Sequence, residues 1–221
     1  MFIIPCKFDR SNPTVVNLVK SIREFHPKDE IVVVDSSSDD KSYFNDLSKY
    51  DVIIEDIDNL QFPIGAYWYV FEKYKRDFYF CLHDSMIVKD NLNSFKDKNI
   101  TVLGNFEREL DPYMDTTLKL YNKISLKNNK PYDINGLGVW GPIFFIKRKY
   151  IDLMVELGYD KIKPLTKIEN CCFERIYGLF FEDMGLNLKD NCLFGHVLSD
   201  IDSKNNSDWQ YPIEKFYLHR K

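Results

Sequence analysis

The stretch Phe78-Tyr79-Phe80-Cys81-Leu82-His83-Asp84-Ser85 runs from five apolar residues into an imidazole, a carboxylate and a hydroxyl. An apolar run without polar alternation reads as a strand buried on both faces, as in a parallel sheet covered by helices. In open α/β sheets, ligands bind outside the carboxyl ends of the strands, so His83, Asp84 and Ser85 stand where a site is expected. The same design occurs upstream: Ile31-Val32-Val33-Val34 leads into Asp35 and the turn Ser36-Ser37-Ser38-Asp39-Asp40. Two acidic strand ends in one half of the chain point to a site for a nucleotide together with a metal ion.

Working outward, Phe2-Ile3-Ile4 reads as a first strand ending at Pro5, and Asn12-Pro13 as the start of a helix. Val15, Val19, Ile22 and Phe25 recur at helical spacing, so the helix spans residues 13–26 and stops at His26-Pro27. Further elements are a helix over 40–49, a strand over 52–54, an aromatic-rich helix over 64–75 and a strand over 100–103. This β-α-β-α-β-α-β order implies an α/β fold with right-handed crossovers. The second half is less regular. It offers a helix near 116–124, a glycine-rich bend at 136–142, a strand over 143–146, helices over 149–157 and 168–184, and a last strand at 192–194. Gly185 closes the longest helix.

Residues of hydrophobic type make up 44% of the 221, ample for one core, and no linker or repeat divides the chain, so one domain is expected. Net charge −4 gives no general attraction to nucleic acid or anionic membrane. The five cysteines have no zinc-ligand spacing and read as buried, reduced thiols. A first strand starting at Phe2 leaves no room for a signal peptide, and no apolar run is long enough to span a bilayer. A soluble, cytoplasmic protein is the expectation, with truncation at the C-terminus open.

Ile3-Ile4-Pro5, the helix around Leu18–Ile22, and Glu30-Ile31-Val32-Val33-Val34-Asp35-Ser36-Ser37-Ser38-Asp39 together resemble the opening of a GT-A glycosyltransferase of the family 2 type. The strand ending in His83-Asp84-Ser85 sits where that fold keeps its D-x-D motif. The resemblance covers about the first hundred residues. It implies a three-layer α/β/α fold with a mostly parallel central sheet. Residues 1–104 would form a nucleotide-sugar-binding half, and residues 105–221 an acceptor-binding half with a tail. The implied activity is transfer of a hexose from a nucleotide-diphosphate sugar, UDP-type favoured, to a glycan or glycoconjugate. The sequence departs from the family at His83 and Ser85, which replace the two acids and leave Asp84 alone. The family's metal is Mn²⁺ or Mg²⁺; one carboxylate plus a diphosphate can hold such a cation, and His83 suits Mn²⁺ better. A metal-independent site built on basic residues is the other reading.

The resemblance also implies roles. Asp35 would bond the base or ribose, its alternative being a turn cap. Pro5, Cys6 and Lys7 would line the nucleotide pocket, and Lys7 and Arg10 would meet phosphate oxygens unless they are solvated surface charge. Asp84 would hold the metal with His83 and His196, Ser85 would adjoin the donor, and Lys215, His219 and Arg220 would form a lid. Glu174 is the first candidate for general base and Glu169 the second, while a Glu174–Arg175 pair orienting the helix is the alternative. Glu182 and Asp183 read as a solvated helix end. Trp140 would stack on a sugar ring or serve the core. Two other functions compete. One is a non-catalytic nucleotide-sugar or glycan-binding module with a decayed metal motif. The other is a sugar-phosphate nucleotidyltransferase, whose glycine-rich basic loop Cys6-Lys7-Phe8-Asp9-Arg10 does not reproduce.

Overall fold

The computed structural model describes residues 1–7, 14–59, 61–110, 112–128, 131–194 and 211–215. Its strands are β1 (Phe2–Cys6), β2 (Ile31–Ser36), β3 (Ile53–Ile57), β4 (Phe78–Cys81), β5 (Met86–Val88), β6 (Ile100–Val102), β7 (Asn105–Glu107), β8 (Leu137–Val139), β9 (Phe144–Lys147) and β10 (Ile213–Lys215). The helices are α1 (Thr14–Phe25), α2 (Phe44–Leu47), α3 (Phe62–Lys73), α4 (Met114–Asn128), α5 (Arg148–Glu156) and α6 (Lys167–Asp183). Six strands form the main sheet in the order β3-β2-β1-β4-β9-β6. β3, β2, β1 and β4 are mutually parallel, while β9 runs antiparallel between β4 and β6.

Alternation along the strands divides the core between the two sheet faces. Ile3, Val32, Val34, Tyr79, Cys81, Phe144 and Ile146 pack with α3 and α6 through Ile64, Tyr67, Phe173, Ile176 and Tyr177. Phe2, Ile4, Ile31, Val33, Phe78, Phe80 and Phe145 pack with α1 through Val15, Leu18, Val19 and Ile22. Burying each such side chain is worth roughly 1.5–3 kcal/mol, enough to offset the modest intrinsic helicity of a twelve-residue segment like α1. Helices on both faces explain the unbroken apolar runs of β2 and β4. The mixed α/β fold with a mostly parallel central sheet is as the sequence implies.

Several elements differ from expectation for identifiable reasons. β1 continues through Pro5 because β4 pairs only with Phe2 and Ile3, so the missing proline N–H lies beyond that ladder. The helix expected over 40–49 shrinks to α2, since the Asp40 side chain accepts from the Ser42 N–H and holds a turn there. The glycine-rich bend contains β8, paired with β7 so that Gly138 faces Phe106. Arg148, the first residue of α5, donates to the Phe71 carbonyl and fixes that helix against α3. Cys192 bridges Val102, and Leu193 and Phe194 donate to Val102 and Leu103, so the last expected strand is present as a short parallel bridge. The cap at Asn12-Pro13 lies outside the described residues. Among the described residues no disulfide joins the cysteines, and no helix is long and apolar enough to cross a membrane.

His26, just past α1, has its side chain buried and supplies a pH dependence. Its Nε2 accepts the Leu92 N–H at 2.9 Å, so the ring proton sits on Nδ1 and is donated to Asp29 Oδ2, also 2.9 Å away. Burial pushes its pKa below the ordinary value, outweighing the pull of Asp29, with Lys96 and the Met1 ammonium acting in the same direction as burial. A depressed histidine pKa means that the unfolded chain binds the extra proton first. Stability is therefore fully present above about pH 6.5 and is lost as pH falls toward the folded-state pKa. The Asp29 carboxyl is itself held low by Lys96 and His26, so its contribution is lost only at more acid pH. Urea midpoints measured from about pH 7.5 to 5.5 should fall most below about 6.5. His26→Gln should flatten that segment, and an unchanged slope would count against the assignment.

Candidate functional site

The chain leaves β1 for β2 and β3 on one side, then returns to place β4 on the other side of β1. The crevice at such a reversal is where open α/β sheets bind ligands. A cleft of about 280 Å³ lies there, lined by Pro5, Cys6, Lys7, Ser36, Asn59, Phe62, Pro63 and Asp84. Every parallel strand contributes: Pro5 and Cys6 end β1, Ser36 ends β2, Asn59 follows β3 and Asp84 follows β4. The walls are largely apolar, with a few convergent polar groups and a lysine at the rim, the usual make-up of a small-molecule site.

Local geometry holds the walls. The Asn59 side-chain amide donates to Ser36 Oγ and to the Phe62 carbonyl, and its Oδ1 accepts the Gln61 N–H. Ser37 donates to Asp58. Ser37 and Phe62 both hold left-handed backbone, at φ 59° and 55°, one in each wall loop. Non-glycine residues in this region cost of order 1 kcal/mol or more and gather at ligand sites. Below Asp84, the buried Tyr67 hydroxyl donates to the Leu82 carbonyl at 2.7 Å and the Met86 sulfur takes the His83 N–H, fixing the end of β4.

A second group of side chains adjoins Asp84. The short β10 pairs antiparallel with β5, with Lys215 opposite Met86, just beyond the His83-Asp84-Ser85 turn. This brings Lys215 Nζ to 3.3 Å from His83 Nδ1 and 4.7 Å from the centre of the Trp140 ring. The ammonium can only donate, so Nδ1 accepts and the proton of the neutral imidazole resides on Nε2. Nε2 is buried and meets no hydrogen-bond partner among the described residues. Burial, then the Lys215 charge, holds the His83 pKa well below the ordinary range. Burial pushes Lys215 down to about 8, against the pull of the Glu174 and Asp84 carboxylates. Gly141, with φ +60°, lets the chain after Trp140 pass close to His83: a Cβ there would stand 3.5 Å from the imidazole.

Of the residues singled out from sequence, Pro5, Cys6, Lys7 and Asp84 line the cleft, and His83 and Trp140 meet Lys215, whose charged form Glu174 favours electrostatically. Ser85 lies half-buried in the turn between β4 and β5. Asp35 does not reach the cleft. It is fully buried, Oδ1 accepting the Ser38 N–H and Oδ2 the Tyr43 hydroxyl, so it closes the turn from within while Ser36 faces the ligand space. Cys6 Sγ lies 3.2 Å from the same Tyr43 hydroxyl, and burial pushes its thiol pKa up, leaving a neutral wall group. Glu169 is engaged elsewhere: its carboxylate accepts from Leu165 and Thr166 in a capping box at the start of α6. Glu174 pairs with Arg175 at 3.5 Å and is the α6 carboxylate that acts electrostatically on Lys215. Glu182 is no solvated end but pairs at 2.6 Å with the fully buried Arg108, which also donates to the Leu137 carbonyl and clamps α6 to β8. Arg10, His196, His219 and Arg220 lie outside the described residues.

Ser36, Asn59, Phe62 and Pro63 escaped the sequence reading. Asn59 obeys the same strand-end rule as Asp84 and was missed because β3 was expected to stop at residue 54. Among the described residues no group of three or more His, Cys, Asp or Glu side chains gathers for a metal, and His83 Nδ1 is taken by an ammonium.

No family model matches the chain, and no curated protein matches it in sequence. Among solved structures it is similar to residues 1–349 of TarS from S. aureus, with 12% identity and a TM-score of 0.47 over 80% of this chain. It is also similar to the galactosyltransferase LgtC in complex with donor and acceptor sugar analogues (13%, TM-score 0.49, 81% of this chain and 70% of that one). A third is mouse xyloside xylosyltransferase 1 (11%, TM-score 0.47, 80% and 81%). The chain spans 55% of the length of that TarS fragment. These neighbours are glycosyltransferases.

Proposed function

We propose that the protein is a glycosyltransferase that moves a hexose from a nucleotide-diphosphate sugar, UDP-type first among candidates, to a hydroxyl of a glycan or glycoconjugate. The observation that carries this reading is the convergence of all four parallel strand ends on one cleft, with a carboxylate in its lining and a part-buried lysine and a tryptophan packed against the neighbouring His83. Phe62, Pro63 and Pro5 offer apolar surface to a base, and Ser36 and Asn59 offer polar edges to base or ribose. Trp140 offers an aromatic face to a sugar, and Glu174 is the candidate to take the proton of the acceptor hydroxyl.

A thermal-shift panel of UDP, GDP, dTDP and CMP sugars, each with Mn²⁺ or with chelator, tests the donor. A ligand at about a hundred times its dissociation constant adds roughly 2.7 kcal/mol, a clear rise in melting midpoint. Release of the nucleoside diphosphate from the stabilising sugar, faster with glycan acceptors, is the expected second result. Glu174→Gln should cut that release about 10²-fold or more with donor affinity kept. Binding without any turnover would favour a donor-binding module, and no stabilisation by any sugar would end the transferase reading.

A further inference from the structure

We propose that the Lys215 ammonium is the cation that grips the donor diphosphate, in place of a divalent metal. The inference deepens the nucleotide-sugar reading above and rests on it. Its geometric basis is the pairing of β10 with β5, which sets Lys215 across from Met86 and against His83. Asp84 lines the cleft, and Lys215 Nζ lies 3.3 Å from the imidazole of His83, the residue just before it, which sets the ammonium next to the Asp84 end of the ligand space. The ring of Trp140 and the imidazole of His83 orient the head group, and its remaining N–H donors are of the kind that meet phosphate oxygens. An imidazole nitrogen that accepts from an ammonium does not ligate a metal, and a fixed positive charge beside it repels a dication.

The chemistry balances without a further reactant. The bond between sugar C1 and the diphosphate oxygen breaks, and its electron pair leaves with the nucleoside diphosphate. The acceptor hydroxyl oxygen forms the new bond to C1, and its proton passes to the base for which Glu174 is the candidate. The negative charge growing on the leaving oxygen is met by Lys215, a preorganised donor in a partly buried site.

Calorimetric titration of the full chain with UDP and GDP, in EDTA and in Mn²⁺, tests the proposal. A uridine titration reports the nucleoside grip alone. The expected result is UDP or GDP binding in EDTA, weakened about 100-fold in Lys215→Met, much less in Lys215→Arg, with uridine affinity the same in all three. Circular dichroism confirms that the variants are folded. Binding that vanishes in EDTA and returns with Mn²⁺ would overturn the proposal while leaving the transferase reading standing. So would a folded Lys215→Met that binds as wild type. The chelator arm needs no variant, so it decides even where Lys215→Met fails to fold. Failure of the wild type to bind UDP or GDP under either condition would bring down both.

Discussion

Asp84→Ala is expected to lower turnover of the stabilising donor by about 10²–10³-fold, the loss seen when a charged group facing a reacting centre is removed. Asp84 is the carboxylate in the cleft lining, and its position at the end of β4 is held by the Tyr67 bond to Leu82. The substitution removes a counter-charge to Lys215 at the same time, so the remaining ammonium loses one of the two carboxylates that favour its charged form. Asp84 is partly buried and belongs to neither apolar core cluster, so the melting midpoint should change far less than turnover does. Steady-state kinetics with a folded variant provide the check. Turnover at the wild-type level would mean that the chemistry lies elsewhere.

Gly178→Ala should destabilise the protein by about 3 kcal/mol, the upper part of the range for overpacking, and lower the melting midpoint by roughly 6–12 °C. The sign is informative because glycine-to-alanine in a helix interior ordinarily stabilises by about 1 kcal/mol. Gly178 lies in the buried middle of α6, and a Cβ there would run into the Leu137 carbonyl oxygen and come within 2.7 Å of the Gly138 Cα. Both obstacles are backbone of β8, which cannot rotate away as a side chain would. Relief requires α6 to lift, pulling on the Arg108–Glu182 clamp. Gly185→Ala is the control. Its φ of +76° is strained for alanine, but nothing stands within 4 Å of the added carbon, so a smaller loss of about 1 kcal/mol is expected. Denaturant melts of the two variants separate backbone strain from helix–strand contact. Stabilisation by Gly178→Ala would refute the packing account.

The amino-acid sequence by itself determined the parallel half of this protein. The apolar runs at 31–34 and 78–82 can be satisfied only by burial on both sheet faces. The spacing of Val15, Val19 and Ile22 specifies the face of α1. The carboxyl ends of those strands then locate the cleft and single out Asp84, whereas Pro5, Cys6 and Lys7 follow from the family resemblance. These features are legible because they depend on neighbours a few residues apart, where periodicity reports burial directly. The tertiary structure alone decided the rest. It inserted β9 antiparallel between β4 and β6, buried Asp35 beneath Tyr43, spent Glu169 on a helix cap and tied Glu182 to Arg108. It also carried Lys215 to His83 by pairing β10 with β5, segments more than a hundred residues apart. A local pattern shows that a strand or a charge exists, but its partner is chosen by which distant segments can close together and satisfy their backbone groups and charges at once. Asp84 was readable from its own strand, whereas the lysine beside it became visible only when the chain had folded back upon it.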